Sequence, residues 1–295
     1  MSTRTFLTPP DRKRLTGALK SVREGRPSNR FVERQDPSIA DLIQDPFEST
    51  DDVQTRLSAL ERRFRRNHDR RGAFLIVYSR VTEEVSRAID NDEFKDSGWT
   101  AEYLITFADL YRQALLAYVN RNFESLPDPW QVAFETARTN QSLVAQDVVL
   151  GINAHVNYDL ALALVAVGIE PDRTAKYEDH CRVNRILHRL VDEVQVLLAE
   201  DYAPGIATLD ESLGRIDEAL GFFTLREGRD SAWRSAVALN SRLAARRKLA
   251  HWILRTASTG AAYLILSPNL NDSLLEQLRK IEQGNADQPV PVANE

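Results

Sequence analysis

His155 and Asp159 stand four residues apart in GINAHVNYDLAL, residues 151–162, within the most apolar stretch of the chain; Asn153 and Asn157 accompany them. Residues four apart in an α-helix lie about 40° apart around its axis, so the imidazole and the carboxylate project from one face. Nitrogen and oxygen donors together suit a divalent cation such as zinc, manganese or iron. Alternatively, the carboxylate orients the imidazole and tunes it for acid–base work. Unpaired polar groups in apolar surroundings cost several kcal/mol. The four side chains must therefore be satisfied by one another, by a neighbouring helix or by a ligand.

Further donors have to come from other segments. Glu83 and Glu84 in VTEEV, Asp179 and His180 in YEDHC, and Asp109 in FADLY are candidates. The expected metal set is His155, Asp159, Asp179 and Glu83, with Asn153 and Asn157 holding the site or its substrate. Tyr78 and Thr82, also four apart, are expected to face the same pocket as hydrogen-bond donors. His188 and Asp192 repeat the His–Asp spacing, but Arg185, Arg189 and Glu193 flank them and mark a solvated, ion-paired face. Arg71, in the basic run RRNHDRRG, either steers an anionic substrate or pairs with acidic neighbours, and His68 in the same run is expected to be exposed. IDNDEF reads as a solvated turn.

The elements that must position these groups read as helix after helix from Ser49 onward. STDDVQTRLSALERRF opens with good N-cap residues and places Val53, Leu57, Leu60 and Phe64 on one face. AFLIVYSRV has strand-like composition, but its spacing and acidic continuation predict helix. Thr100 is the expected cap of the next helix, and Pro129 occupies a first-turn position behind Asp128. The polar-interrupted apolar helix spans about 141–167 and ends near Gly168. A long amphipathic helix follows from Lys176, then LDESLGRIDEALGFF, a long segment containing Trp233 and Trp252, and DSLLEQLRKIEQG. Trp130, Trp233 and Trp252 are expected core anchors. The class is all-α: a single multi-helix bundle around a central buried helix that carries polar residues.

Residues 1–48 differ: Pro9, Pro10, Pro27, Pro37 and Pro46, many arginines and little periodicity describe a flexible basic arm. A short basic helix around 10–24 and a docked turn in PSIADLIQDPF are possible within it. Residues 49–284 are the helical domain and 285–295 a disordered tail. The net charge of −5 gives no strong nucleic-acid signal. One cysteine excludes an intramolecular disulfide and a cysteine-rich zinc cluster. The start of the chain lacks the apolar core of a secretory signal. Asp147 and Asp159 interrupt the apolar stretch, so no transmembrane segment is expected. A cytoplasmic protein is the resulting expectation.

GINAHVNYDLALAL resembles the N-A-H-[IV]-N-x-D-L signature of an uncharacterised all-helical prokaryotic family, a domain of unknown function. The resemblance runs over roughly residues 50–245 and includes RRGAFLIVYSRVT, EFKDSGW, FADLYRQAL, DPW and EDHCRVN. It implies a helical fold and no particular reaction. More loosely, Gly151, His155 and Asp159 are similar to a metal-binding helix of the zinc-dependent phospholipase C and single-strand nuclease family, where the His and Asp are ligands. This chain continues LALALVAVG where that family has a proline and a further histidine, and it has five histidines in all. The resemblance thus implies a mononuclear or reduced site and hydrolysis of a phosphate or other ester. The expected function is a metal-dependent hydrolase of a small molecule or phosphoester. The alternative is a non-catalytic helical binding or scaffold protein whose buried polar network is structural.

Overall fold

The computed structural model describes residues 37–140, 142–205, 225–266 and 272–284. The expected basic helix near 10–24, the LDESLGRIDEALGFF helix and the tail 285–295 lie outside the described residues. Those described are helical with no strand among them, and they belong to one compact unit.

The chain enters through α1 (Pro37–Ile43), with Ile39, Ile43 and the following Phe47 buried in the core. Arginines close its C-terminal carbonyls: Arg112 Nη1 donates to the Ile43 and Gln44 oxygens at 2.8 and 3.0 Å, and Arg56 Nε to Leu42 O at 2.9 Å. The packed domain therefore begins before Ser49, and the last dozen residues of the expected arm belong to it.

In α2 (Thr50–Arg66) the Ser49 hydroxyl accepts the Asp52 N–H at 3.1 Å, and Val53, Leu57, Leu60 and Phe64 form the buried face, as expected. α3 (Arg71–Asp90) is helical through AFLIVYSRV. Ala73 to Ile76 are all buried, because α3 is packed on several sides. α4 (Ser97–Val119) is capped by Asp96, whose Oδ1 accepts the Trp99 N–H at 2.9 Å. The expected cap Thr100 instead lies inside the first turn, its hydroxyl donating to Asp96 O. Asp96, three residues before Trp99, sets a carboxylate oxygen where an N-cap acceptor is required, and Thr100 is already in the helix. α5 (Asp128–Thr139) carries Pro129 in its first turn and ends at Asn140 in the left-handed region.

The central apolar helix consists of α6 (Val144–Ala154), a π-turn (His155–Asp159) and α7 (Leu160–Val167), ending at Gly168 with φ +74°. The Leu160 N–H reaches back five residues to the His155 oxygen. Around this helix pack α3, α4 and α5, together with α9 (Leu225–Leu239) and α10 (Ala244–Leu266). α8 (Arg173–Asp201) lies against α3 and α4. From α11 (Asp272–Glu282), the buried Glu282 carboxylate accepts the Val144 and Ala145 N–H groups at 2.8 and 3.1 Å, placing an anion on the positive end of α6. Val144–Val167 is long and apolar enough to cross a membrane by length and composition; most of it is buried inside the protein, as a core helix.

Of the three expected tryptophan anchors, Trp130 and Trp233 are buried, but Trp252 is 63% exposed. α10 turns Leu254, Ser258 and Ala262 toward the core. Trp252 precedes Leu254 by two residues, about 200° around the axis, and so faces outward.

Candidate functional site

His155 and Asp159 meet at the π-turn, both about 2% exposed. Asp159 Oδ2 accepts the indole N–H of Trp130 from α5 at 2.7 Å and lies 3.1 Å from His155 Nδ1. With Asp159 as the carboxylate, both N–H groups donate to its Oδ2, the imidazole hydrogen sits on Nδ1 and Nε2 is a bare lone pair. Nε2 is fully buried with no hydrogen-bond partner. Burial pushes the imidazole well below its usual pKa and the carboxyl well above its own, the Trp130 hydrogen bond opposing the latter. The ring is clamped, lying flat on Phe107 with centroids 3.5 Å apart and edge-on to Tyr78 at 4.4 Å.

His155 forms part of the wall of a cavity of about 100 Å³ between α3, α4, α8, α9 and the central helix. The wall is largely apolar, with Phe74, Val81, Leu104, Phe107 and Ile152 among its members, and its polar members are Tyr78, Thr82, Thr100, Tyr103, His155 and Arg229. Tyr78 and Thr82 thus face one pocket, as their spacing implies.

A second polar cluster borders the same cavity. His180 Nε2 is 3.1 Å from the Arg229 carbonyl, so it carries the hydrogen, and its Nδ1 accepts the Tyr103 hydroxyl at 3.0 Å. The Arg229 Nη2 donates to His180 O at 2.7 Å. His180 is therefore neutral with both ring nitrogens used. Burial first, then the Arg229 charge, hold its pKa well below 6.5. Below pH about 6.5 the unfolded chain takes up a proton here that the folded chain does not, so the stability this site contributes falls as pH falls. Glutamine supplies a similar donor and acceptor without titrating. The stability deficit of His180→Gln is expected to shrink by about 1.4 kcal/mol per pH unit below 6.5, which urea unfolding of parent and variant from pH 7.5 to 5 would read. A pH-independent difference would contradict the neutral-histidine assignment.

The remaining expected site residues are not brought to His155. Asn153 Nδ2 donates to Ser258 O on α10 at 2.8 Å, and its Oδ1 accepts from Asn157 Nδ2 at 3.0 Å, so this pair ties helix to helix away from the cavity wall. Asp179 accepts the Lys95 and Asp96 N–H groups, both at 2.8 Å, clamping the turn before α4. Glu83 pairs with Arg80 and Arg87, Glu84 with Arg87, and Asp109 with Arg112. Arg71 pairs with Asp69, and His188 is exposed; the Asp192 side chain is outside the described residues. Among the described residues no three His, Cys, Asp or Glu side chains gather as a metal would need. Among the described residues of the cavity wall, His155 is the one such donor. Asp179 and Glu83 fail as ligands because backbone N–H groups and arginines on other faces already engage them, and the donor set does not fit the expected metal.

Arg229 is the residue that sequence reasoning missed. Its signal is faint: LREGRDSAWRSAVAL buries Ala232, Trp233 and Ala236, and Arg229 lies on that same face, four and seven residues before the last two. Gly228 lets α9 come close, since a Cβ there would sit 2.8 Å from Asn157 Oδ1 in the π-turn.

A family model described as a family of unknown function (DUF5995) matches residues 50–268, and the chain belongs to that family. No curated protein matches the chain. No solved structure matches it either.

Proposed function

For this member of a family without an assigned activity, we propose that the cavity is an active site in which His155 acts as general base on a small, mainly apolar substrate. Ester hydrolysis is the reaction class. The observation that carries this reading is the buried, unpartnered Nε2 of a histidine in the cavity wall, with Asp159 behind its Nδ1. As the carboxylate, the form the Trp130 hydrogen bond favours, Asp159 keeps the hydrogen on Nδ1 and supports the imidazolium that forms when Nε2 takes a proton. The depressed pKa keeps Nε2 unprotonated at neutral pH. In hydrolysis, water loses a proton to Nε2 as its oxygen bonds to the ester carbon, and the same proton passes to the leaving alkoxide. The placement of a π-turn at this histidine supports the reading, since such turns recur at functional sites.

The test is hydrolysis of p-nitrophenyl acetate, butyrate and hexanoate by the parent and by His155→Gln. General-base participation predicts a rate about 10² to 10⁴-fold lower in the variant. Equal rates in the two folded proteins would rule the proposal out. The second reading, a non-catalytic binding module, is favoured by the Asn153–Asn157–Ser258 and Trp130–Asp159 bonds, which link the central helix to its neighbours. Equal rates combined with ligand binding in the cavity would select it.

A further inference from the structure

Among the described residues, Arg229 is a buried cation that no carboxylate pairs with directly. The residue is 4% exposed. Its guanidinium donates to the His180 carbonyl at 2.7 Å, lies 3.4 Å from the His180 ring and interacts with the Tyr103 hydroxyl, and its Nε–H is fully buried with no acceptor. Among the described residues no carboxylate forms an ion pair with it; the nearest in sequence, Asp230, accepts the Tyr177 hydroxyl. Tyr103 and His180, the groups packed against it, are neutral. Arginine keeps its charge even when burial disfavours it, and an uncompensated buried charge costs several kcal/mol. The buried carboxylates Asp159 and Asp179 are already engaged, the first by Trp130 and His155 and the second by the Lys95 and Asp96 N–H groups.

Arg229 is also among the residues of the cavity wall, whose surface is mostly hydrocarbon. We infer that the cavity binds a small amphipathic carboxylate, its short apolar body against Phe74, Val81, Leu104 and Ile152 and its anionic head on Arg229. A carboxylate matches a guanidinium in charge and planar geometry. A bare inorganic anion would leave most of its oxygens facing hydrocarbon. With about 30 Å³ for each water-sized group, the cavity accommodates a body of a few carbons. The inference rests on the cavity being a ligand pocket, as proposed above, and not on His155 acting as a base.

Calorimetric titration of the full chain with butyrate and hexanoate, beside butanol and hexanol, tests it. The parent is expected to bind each acid about 10- to 100-fold more tightly than the alcohol of equal length. Arg229→Gln should remove that preference, while His155→Gln should keep it. Equal binding of acid and alcohol by the parent would overturn the anion site and leave the pocket standing. Binding of neither would overturn the pocket as well. Loss of the preference in His155→Gln but not in Arg229→Gln would overturn the inference by moving the anionic head to the imidazole. Should Arg229→Gln fail to fold, the acid-to-alcohol ratio in the parent and in His155→Gln still decides.

Discussion

Replacing Asp159 with alanine is expected to lower stability by about 2 to 5 kcal/mol. Asp159 Oδ2 is the shared acceptor for the Trp130 indole N–H at 2.7 Å and the His155 imidazole at 3.1 Å. Alanine leaves both N–H groups buried without an acceptor, at about 1–3 kcal/mol each. Asparagine behaves differently. Its oxygen can accept from Trp130 while its amide donates to His155 Nδ1, so most of the stability survives but the imidazole hydrogen moves to Nε2. The base in the cavity wall is then lost. Asp159→Asn should keep most of the parental stability and lose esterase activity by a factor comparable to His155→Gln. Urea unfolding and hydrolysis rates on the two Asp159 variants separate these effects. An Asp159→Ala protein within 0.5 kcal/mol of the parent would show that neither bond contributes.

Gly151→Ala should cost about 2 kcal/mol or more, although alanine is the better helix former by about 1 kcal/mol. A Cβ at this position would lie 2.3 to 2.6 Å from three Phe74 atoms, far inside contact distance. Phe74 is hemmed in on most sides: Tyr78, Tyr111, Trp130 and His155 stand round its ring with centroids 5.6 to 5.8 Å away. The methyl therefore pushes α6 away from α3 or drives Phe74 into the cavity it lines. The second route would also weaken hexanoate binding. Thermal and urea unfolding check the first expectation and calorimetry the second. A variant as stable as the parent would mean that α3 and α6 separate at little cost.

The sequence by itself determined what backbone geometry determines locally. Helical periodicity placed α2, α3 and the central helix; the Ser49 cap and the Pro129 first turn followed from side-chain reach and proline's missing N–H. The His155–Asp159 contact was legible for the same reason, since four residues along one helix bring two side chains together whatever surrounds them. Tertiary structure decided everything that joins one helix to another. Asp179 was one of several candidate further ligands, and packing of α8 set it against the Lys95 and Asp96 N–H groups. Trp130 became the partner of Asp159 from 29 residues away. Arg229, ordinary among the charges around it, became a buried cation where α9 packs on the core, with Gly228 close against the π-turn. A side chain's spacing along its own helix is fixed by covalent geometry. What it faces across the core depends on how all the helices pack at once, and no short stretch of sequence carries that.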